Sequence, residues 1–160
     1  MDVGTFDVTA TWPRPRATDV AAARGVAAAA MTALGIGETG REQAAVMVSE
    51  LATNAIRHGG PPLQLRVWAR GQRWLVTEVR DGALRLPLLP AAQELAEVDP
   101  LSVSGRGLAL VTAYADSRCG VVPLLHAAGK SVWFALPLAE QWLDATRVAA
   151  HVQQRVGSEL

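Results

Sequence analysis

The chain has 160 residues, of which 50% are hydrophobic, and its 15 Lys and Arg side chains balance 15 Asp and Glu. This length accommodates one ordinary domain with its own core and hardly two. Binding to nucleic acid is not expected, because neutralising a phosphate backbone usually leaves an excess of basic residues in the sequence.

Neither the cysteine content nor the apolar runs indicate secretion or membrane insertion. The single Cys119 has no partner for an intramolecular disulfide. No secretory leader is visible at the N-terminus. The Ala-rich run at 17–34 carries Asp19 and Arg24 and is only weakly hydrophobic, so it makes a poor membrane span. We therefore expect a cytoplasmic protein without a membrane segment.

The first elements in chain order are a strand and a helix. Apolar residues alternate with polar or small ones over 6–12, which predicts a half-buried strand that ends at two prolines. Thr18 is a suitable N-cap for the helix that follows. Gly35 is expected to end this helix in the left-handed conformation.

The next segment predicts a longer helix and a hairpin. Thr39 and Glu42 have the spacing of a capping box, and the helix they begin is placed at about 40–58, before two glycines and a proline. Two alternating runs at 63–69 and 74–79 flank a Gly-Gln turn, as in a β-hairpin.

The second half of the chain begins with a break in periodicity. Its prolines predict an irregular segment over 82–104, with at most a short helix at 93–98. A loop of this length in a compact domain is usually functional. An apolar helix at 108–116 and two strands at about 118–123 and 131–136 complete the predicted elements.

A polar stripe on the second helix is the first candidate site. Glu50, Asn54 and His58 recur every four residues and border the apolar face rather than lying opposite it. A carboxylate and an amide one turn apart can polarise a nucleophile and hold a hard cation through oxygen. Alternatively, Glu50 and Asn54 are solvated helix residues and His58 caps the C-terminal dipole.

Two glycine-containing motifs follow. Asp81 and Gly82 stand where a strand meets a turn, so the carboxylate could accept a hydrogen bond from an exocyclic amine, although Asp-Gly is above all a turn signal. Gly105, Arg106 and Gly107 precede a helix, where bare amides can approach phosphate. A tight loop entering a helix explains this second motif about as well.

The order of these motifs resembles the GHKL ATPases, the superfamily that includes DNA gyrase and the histidine kinases. Residues 50–55 with His58 and Gly59 resemble the N-box of that family, and the Asp-Gly strand end, the Pro-rich irregular lid, Gly-x-Gly-Leu and a late Gly-Lys-Ser strand follow in family order. The resemblance covers about 17–138. It is closest to the stand-alone bacterial anti-sigma-factor serine/threonine kinases, because no phosphoacceptor hairpin or sensor precedes the domain.

The resemblance implies a fold and a division of the chain. The expected fold is an α/β two-layer sandwich of the Bergerat type, in which a mixed, mostly antiparallel sheet carries helices on one face. It would occupy residues 1–138 and be followed by a C-terminal helical extension at 139–160.

The resemblance also implies ATP and Mg²⁺ as ligands. Asn54 is expected to coordinate Mg²⁺, Asp81 to accept the adenine amino group, Ser131 to help hold adenine, and Glu50 to act as the catalytic general base. Lys130 is expected to be solvated. The remaining nucleotide contacts are expected from His58, Gly82, Gly105, Arg106, Gly107 and Leu108.

The function implied is that of an ATP-binding regulator. We expect an anti-sigma factor or serine/threonine kinase that phosphorylates an anti-anti-sigma partner, with a sigma factor as its second partner and a homodimer as a further option. The alternatives are an ATP-gated module that binds a regulator without phosphorylating it, and a structural module with a vestigial site. After Asp81 the sequence has Ala83 and Arg85 where the family pattern Asp-x-Gly-x-Gly has its two glycines, so binding is better supported than catalysis.

Overall fold

The computed structural model describes residues 6–70, 73–89 and 107–138 of the chain. Within these ranges five strands and three helices follow one another. In chain order they are β1 (Phe6–Trp12), α1 (Asp19–Ala33), α2 (Glu38–His58), β2 (Leu63–Arg70), β3 (Trp74–Asp81), α3 (Gly107–Tyr114), β4 (Cys119–Pro123) and β5 (Lys130–Pro137). None of these helices is long and apolar enough to cross a bilayer.

The strands form one five-stranded sheet in the order β1-β2-β3-β5-β4. Each neighbouring pair is antiparallel, so the parallel pair of the predicted mixed sheet does not occur between these five strands. The helices pack on one side of the sheet. The predicted α/β two-layer sandwich is thereby confirmed.

Alternation along the strands separates two faces of the sheet. The face toward the helices carries buried apolar side chains, which include Val8, Leu65, Val67, Val79 and Phe134. The other face carries charged and aromatic side chains, which include Asp7, Arg66, Trp68, Glu78 and Trp133. The main core therefore lies between the helices and one face of the sheet, where burial of apolar area stabilises the fold.

The end of α1 follows its sequence signal. Gly35 has a φ of +71°, its N–H donates to the carbonyl of Thr32 at 3.1 Å, and the N–H of Ile36 donates to the carbonyl of Met31 at 2.9 Å. These two bonds form a Schellman motif, which satisfies carbonyl groups that the helix itself leaves without partners. The predicted left-handed termination at Gly35 is confirmed.

The side-chain hydrogen bonds predicted to cap the N-termini of α1 and α2 do not form. Thr18 stands before α1 but has helical backbone angles and makes no capping bond through its side chain, whereas a capping hydroxyl needs an extended residue. Helix α2 begins at Glu38 with Gly37 as its N-cap, so Thr39 lies inside the first turn. Thr39 and Glu42 consequently form no capping box.

Some sequence predictions fall outside the described residues. These are the short helix at 93–98, most of the irregular segment at 82–104 and the helical extension at 139–160. The part of the irregular segment that is described, 82–89, contains no helix or strand, as predicted. The division of the chain at residue 138 stays a prediction.

Candidate functional site

The polar stripe on α2 lies where the buried face of that helix ends. The apolar face is buried through Met47, Val48, Leu51, Ala52 and Ala55. Glu50 and Asn54 are half-buried beside this face, and His58 is exposed at the last residue of the helix. The structure therefore keeps Glu50 and Asn54 together one turn apart and leaves His58 open to solvent.

Glu50 is in direct contact with the beginning of α3. A Cβ built on Gly107 would overlap the Oε2 atom of Glu50 and lie 3.3 Å from its Cβ. Only a residue without a side chain allows this approach. The carboxylate lies at the N-terminal end of α3. Glu50 and Gly107, predicted from separate motifs, thus come together.

Asp81 ends β3 on the helix side of the sheet and is 5% exposed. Its Oδ1 atom accepts two hydrogen bonds, one from the backbone N–H of Ala83 and one from the Nζ of Lys130, both at 2.8 Å. Its Oδ2 atom accepts none from the described residues. Among the described residues the carboxylate is therefore oriented through Oδ1 alone.

Three glycines surround Asp81 so closely that larger residues would overlap their neighbours. A Cβ on Gly59 would lie 2.5 Å from the Cγ of Asp81, and one on Gly82 would lie 2.5 Å from the carbonyl oxygen of Pro61. Gly129 has a φ of +126°, and a Cβ there would overlap the carbonyl oxygen of Asp81. These contacts hold the end of β3 against the end of α2 and the start of β5.

Ser131 does not share a face with Asp81. It pairs with Arg80 across the sheet, whereas Asp81 pairs with Lys130. The Ser131 hydroxyl donates to Oε2 of Glu78 at 3.1 Å on the face away from the helices. Neighbouring residues of a strand point to opposite faces, so the Ser131 hydroxyl and the Asp81 carboxylate lie on different sides of the sheet, and the predicted contact of Ser131 with adenine stays a prediction.

Lys130, rather than Ser131, shares the helix-side face of the sheet with Asp81. It was expected to be solvated, but it is 7% exposed and forms a buried ion pair with Asp81. The sequence indicates this placement only in part, because both sides of β5 are buried and its hydrophobicity does not mark the face that meets the helices. Val132 and Phe134 face the core, so period-two alternation puts Lys130 on the same face.

The other predicted residues fall into two groups. Gly82 donates its N–H to the carbonyl of Gly60 at 2.6 Å, and Leu108 packs half-buried on the core in the first turn of α3. Gly105 and Arg106 lie outside the described residues. The described site therefore consists of α2, the start of α3 and the facing ends of β3 and β5.

The opposite face of the sheet carries a separate ion-pair network. Glu78 accepts from the Nε1 of Trp68 at 2.5 Å and from the Nε of Arg80 at 2.8 Å. Hydrogen bonding to Asp7 raises the pKa of Arg66 above its ordinary value, charge attraction to Asp7 and Glu78 adds to this, and burial opposes it. Arg66 is therefore positively charged at any working pH, and it is remote from Asp81 because it faces the other side.

The donor atoms fit a magnesium ion that is shared with phosphate. Within the described ranges no three His, Cys, Asp or Glu side chains group to hold a metal ion. Magnesium in nucleotide sites is usually held by one or two protein oxygens, with phosphates and water completing an octahedron. Asn54 provides such an oxygen on α2, and Glu50 lies one turn before it beside Gly107. The predicted Mg²⁺ role of Asn54 stays a prediction.

Comparison with known proteins identifies a family for this chain. A family model described as the histidine kinase-like ATPase domain matches residues 13–135, which is more than half of the 160 residues. No curated protein matches the sequence. The matched range includes every described residue of the site, from Glu50 on α2 to Lys130 on β5.

Proposed function

Because the chain belongs to the histidine kinase-like ATPase domain family, we propose that it is an anti-sigma factor that phosphorylates a serine of an anti-anti-sigma partner in the cytoplasm. Membership of this family indicates, in general terms, a protein that binds ATP and has a regulatory role. The kinase activity and the partners are the proposed part. The observation that carries the proposal is that α2 contacts Gly107 through Glu50 and Asp81 through Gly59.

The length of α2 between these two contacts suits a nucleoside triphosphate. Glu50 and Gly59 are nine residues apart, which corresponds to about 13 Å along a helix axis. Asp81 at one end is an anionic acceptor for the adenine amine. The N-terminus of α3 at the other end is a favourable place for phosphate, since backbone N–H groups and the helix dipole face the ligand there. Asn54 between them would hold Mg²⁺.

Glu50 is the proposed general base. As the γ-phosphoryl group passes to the Ser hydroxyl of the partner and ADP leaves, the hydroxyl proton would move to the Glu50 carboxylate. The half-buried position of Glu50 at the start of α3 supports this role, because it places the carboxylate where the phosphates are expected. General-base catalysis contributes about 10²- to 10⁴-fold to a rate.

Exposed leucines beside the site support a protein partner. Leu84, Leu86 and Leu88 follow Asp81-Gly82 in one segment, and they are 76%, 46% and 91% exposed. Large apolar side chains that are exposed together are typical of protein interaction surfaces. A partner bound here would lie next to the nucleotide, which is where an acceptor serine must be.

The test begins with calorimetry of Mg-ATP binding and continues with transfer of labelled γ-phosphate to small proteins encoded by neighbouring genes. Glu50→Gln should bind ATP with nearly unchanged affinity and lose about 10²- to 10⁴-fold in transfer rate. Glu42→Gln, an exposed change on the same helix, is the matched control and should behave as wild type.

Two results would change the proposal. If the wild-type protein binds a sigma factor in an ATP-dependent way and phosphorylates no partner, the protein is a binding module rather than a kinase. If the Glu50→Gln variant transfers phosphate as fast as wild type, the enzyme is retained and Glu50 is not its base.

A further inference from the structure

We propose that Lys130 reads the nucleotide base together with Asp81. In this arrangement the Lys130 ammonium donates a hydrogen bond to N1 of adenine while the Oδ2 atom of Asp81 accepts one from the N6 amine. The inference rests on the proposed ATP binding and assigns to that site a second residue that determines its specificity.

The burial of Lys130 is the first argument. Lys130 is the only lysine of the chain, its side chain is 8% exposed, and its Nζ lies 2.8 Å from the Oδ1 atom of Asp81. Taking an ammonium group out of water is costly unless its hydrogens find acceptors. An ammonium has three hydrogens, and within the described residues Nζ donates only to Asp81. Among the described residues, donor capacity of the ammonium therefore remains beside the carboxylate.

The state of the Asp81 carboxylate is the second argument. Its Oδ1 atom is occupied by Lys130 and by the N–H of Ala83, while Oδ2 accepts nothing from the described residues. The ion pair therefore presents one acceptor next to one donor. The Watson–Crick edge of adenine presents the complementary order, the N6 amine as donor beside N1 as acceptor. A carboxylate alone would recognise only the amine.

The rigidity of the surroundings is the third argument. Lys130 is the first residue of β5 and pairs with Asp81 across the sheet. The Gly129 backbone lies so close to the carbonyl oxygen of Asp81 that no side chain fits at position 129. This contact fixes the backbone immediately before Lys130. Groups that are held by regular structure and tight packing are preorganised for recognition. Lys130 therefore does not need to be ordered when the base binds.

The experiment combines ligand and residue changes. Calorimetry measures the Kd of Mg-ATP and of the magnesium complex of 1-deaza-ATP, in which a C–H group replaces N1, for wild type and Lys130→Met. Wild type should bind 1-deaza-ATP about 10- to 100-fold more weakly than ATP, the range for a hydrogen bond to a charged group. Lys130→Met should bind ATP more weakly and show nearly no difference between the two nucleotides.

The matched control removes a different cation. Arg16→Met changes an exposed residue before α1 and should retain the full preference for ATP. If Lys130→Met does not fold, Lys130→Met with Asp81→Asn removes both charges and avoids a buried unpaired carboxylate. That double variant should also have lost the preference for ATP over 1-deaza-ATP.

A measurement on the wild-type protein needs no substitution. The single lysine gives one Nζ resonance when the protein is labelled with ¹⁵N-lysine, and this resonance should shift more with ATP than with 1-deaza-ATP. Equal affinities and equal shifts for the two nucleotides in wild type would overturn the base-reading role. If wild type binds no adenine nucleotide, the proposed function itself is wrong and this inference fails with it.

Discussion

Gly59 at the end of α2 lies against the Asp81 carboxylate at the end of β3, without space for a methyl group between them. A Cβ on Gly59 would be 2.5 Å from the Cγ and 2.8 Å from the Oδ2 of Asp81. The Oδ2 atom is the one that accepts no hydrogen bond from the described residues. The position of the proposed adenine acceptor is therefore set by a glycine on a different element.

The first prediction is that Gly59→Ala weakens both the fold and nucleotide binding. The added methyl group must displace Asp81 or the end of α2, and overpacking of this kind costs about 1–3 kcal/mol. Urea unfolding measures the free energy of unfolding, and calorimetry measures the loss of ATP affinity.

Gly60→Ala is its matched control. A Cβ on Gly60 would have no neighbour closer than 3.5 Å, an ordinary contact distance. Both substitutions restrict the unfolded chain alike, so the difference between them reports the overlap of the added methyl group with the carbonyl oxygen of Ala55 and with the Asp81 carboxylate. Equal stability and equal ATP affinity of the two variants would show that Asp81 is not held by Gly59.

The second prediction concerns the buried pair of Asp81 and Lys130. Asp81→Asn leaves a buried ammonium without a counter-charge, which typically costs about 3–5 kcal/mol in the free energy of unfolding. Asp81→Asn combined with Lys130→Met should recover much of this loss, because no unpaired charge remains. Denaturant unfolding of wild type, both single variants and the double variant gives the coupling energy.

Asp116→Asn serves as the control for that cycle. The Asp116 side chain is 84% exposed and its ion pair with Arg118 is at the surface, so the expected change in stability is below about 1 kcal/mol. Strict additivity of the two single effects at Asp81 and Lys130 would mean that the pair contributes no coupling.

Much of the fold was predictable because its strands have one strongly apolar face. Leu63, Leu65 and Val67 alternate with polar residues, and the structure buries all three on the helix side. The termination of α1 at Gly35 was predictable for a similar reason, since a left-handed residue there requires little but glycine. Both features depend on residues that are close together in the sequence, so the sequence alone predicts them.

The site was predictable only where its residues belong to one element. The periodicity of α2 indicated that Glu50 and Asn54 lie together at the border of the core. The sequence did not predict that Lys130, rather than Ser131, lies on the same face as Asp81. Both sides of β5 are buried, so the hydrophobicity of the strand does not mark which face meets the helices. The contacts around Asp81 depend on register between strands that are distant in sequence, and no local pattern encodes them.

The third prediction concerns Thr77, which is 0% exposed on the helix side of β3. Its hydroxyl has no hydrogen-bond partner in the part of the chain that the structure describes. A buried polar group without a partner costs about 1–3 kcal/mol, so Thr77→Val should raise the free energy of unfolding by about 1 kcal/mol. Thermal and urea unfolding measure the change.

Thr112→Val is the control, because it makes the same substitution at another buried position. Thr112 is 5% exposed, but its hydroxyl donates to the carbonyl of Leu108 at 3.0 Å. This variant loses a hydrogen bond and should be less stable than wild type or equal to it. A Thr77→Val variant that is as destabilised as Thr112→Val would show that the Thr77 hydroxyl has a partner in solution.

The last prediction tests whether Gly107 positions Glu50. A Cβ on Gly107 would overlap the Glu50 carboxylate, so Gly107→Ala must turn that side chain away from the start of α3. In a background that carries Glu50→Ala the overlap with the carboxylate is gone, and only the 3.3 Å contact with the Cβ of residue 50 remains. Gly107→Ala should therefore cost more stability with Glu50 present than with Ala at position 50, by about 1 kcal/mol or more, as expected for residues in contact.

The same cycle separates packing from chemistry. If Glu50 is the general base, Gly107→Ala should lower phosphate transfer to the partner by more than tenfold, because a displaced base loses its alignment with the attacking hydroxyl. ATP affinity should change less, since Asp81 and Lys130 lie at the other end of α2. Equal effects of Gly107→Ala on transfer in both backgrounds would mean that it acts without Glu50, through the phosphates at the start of α3.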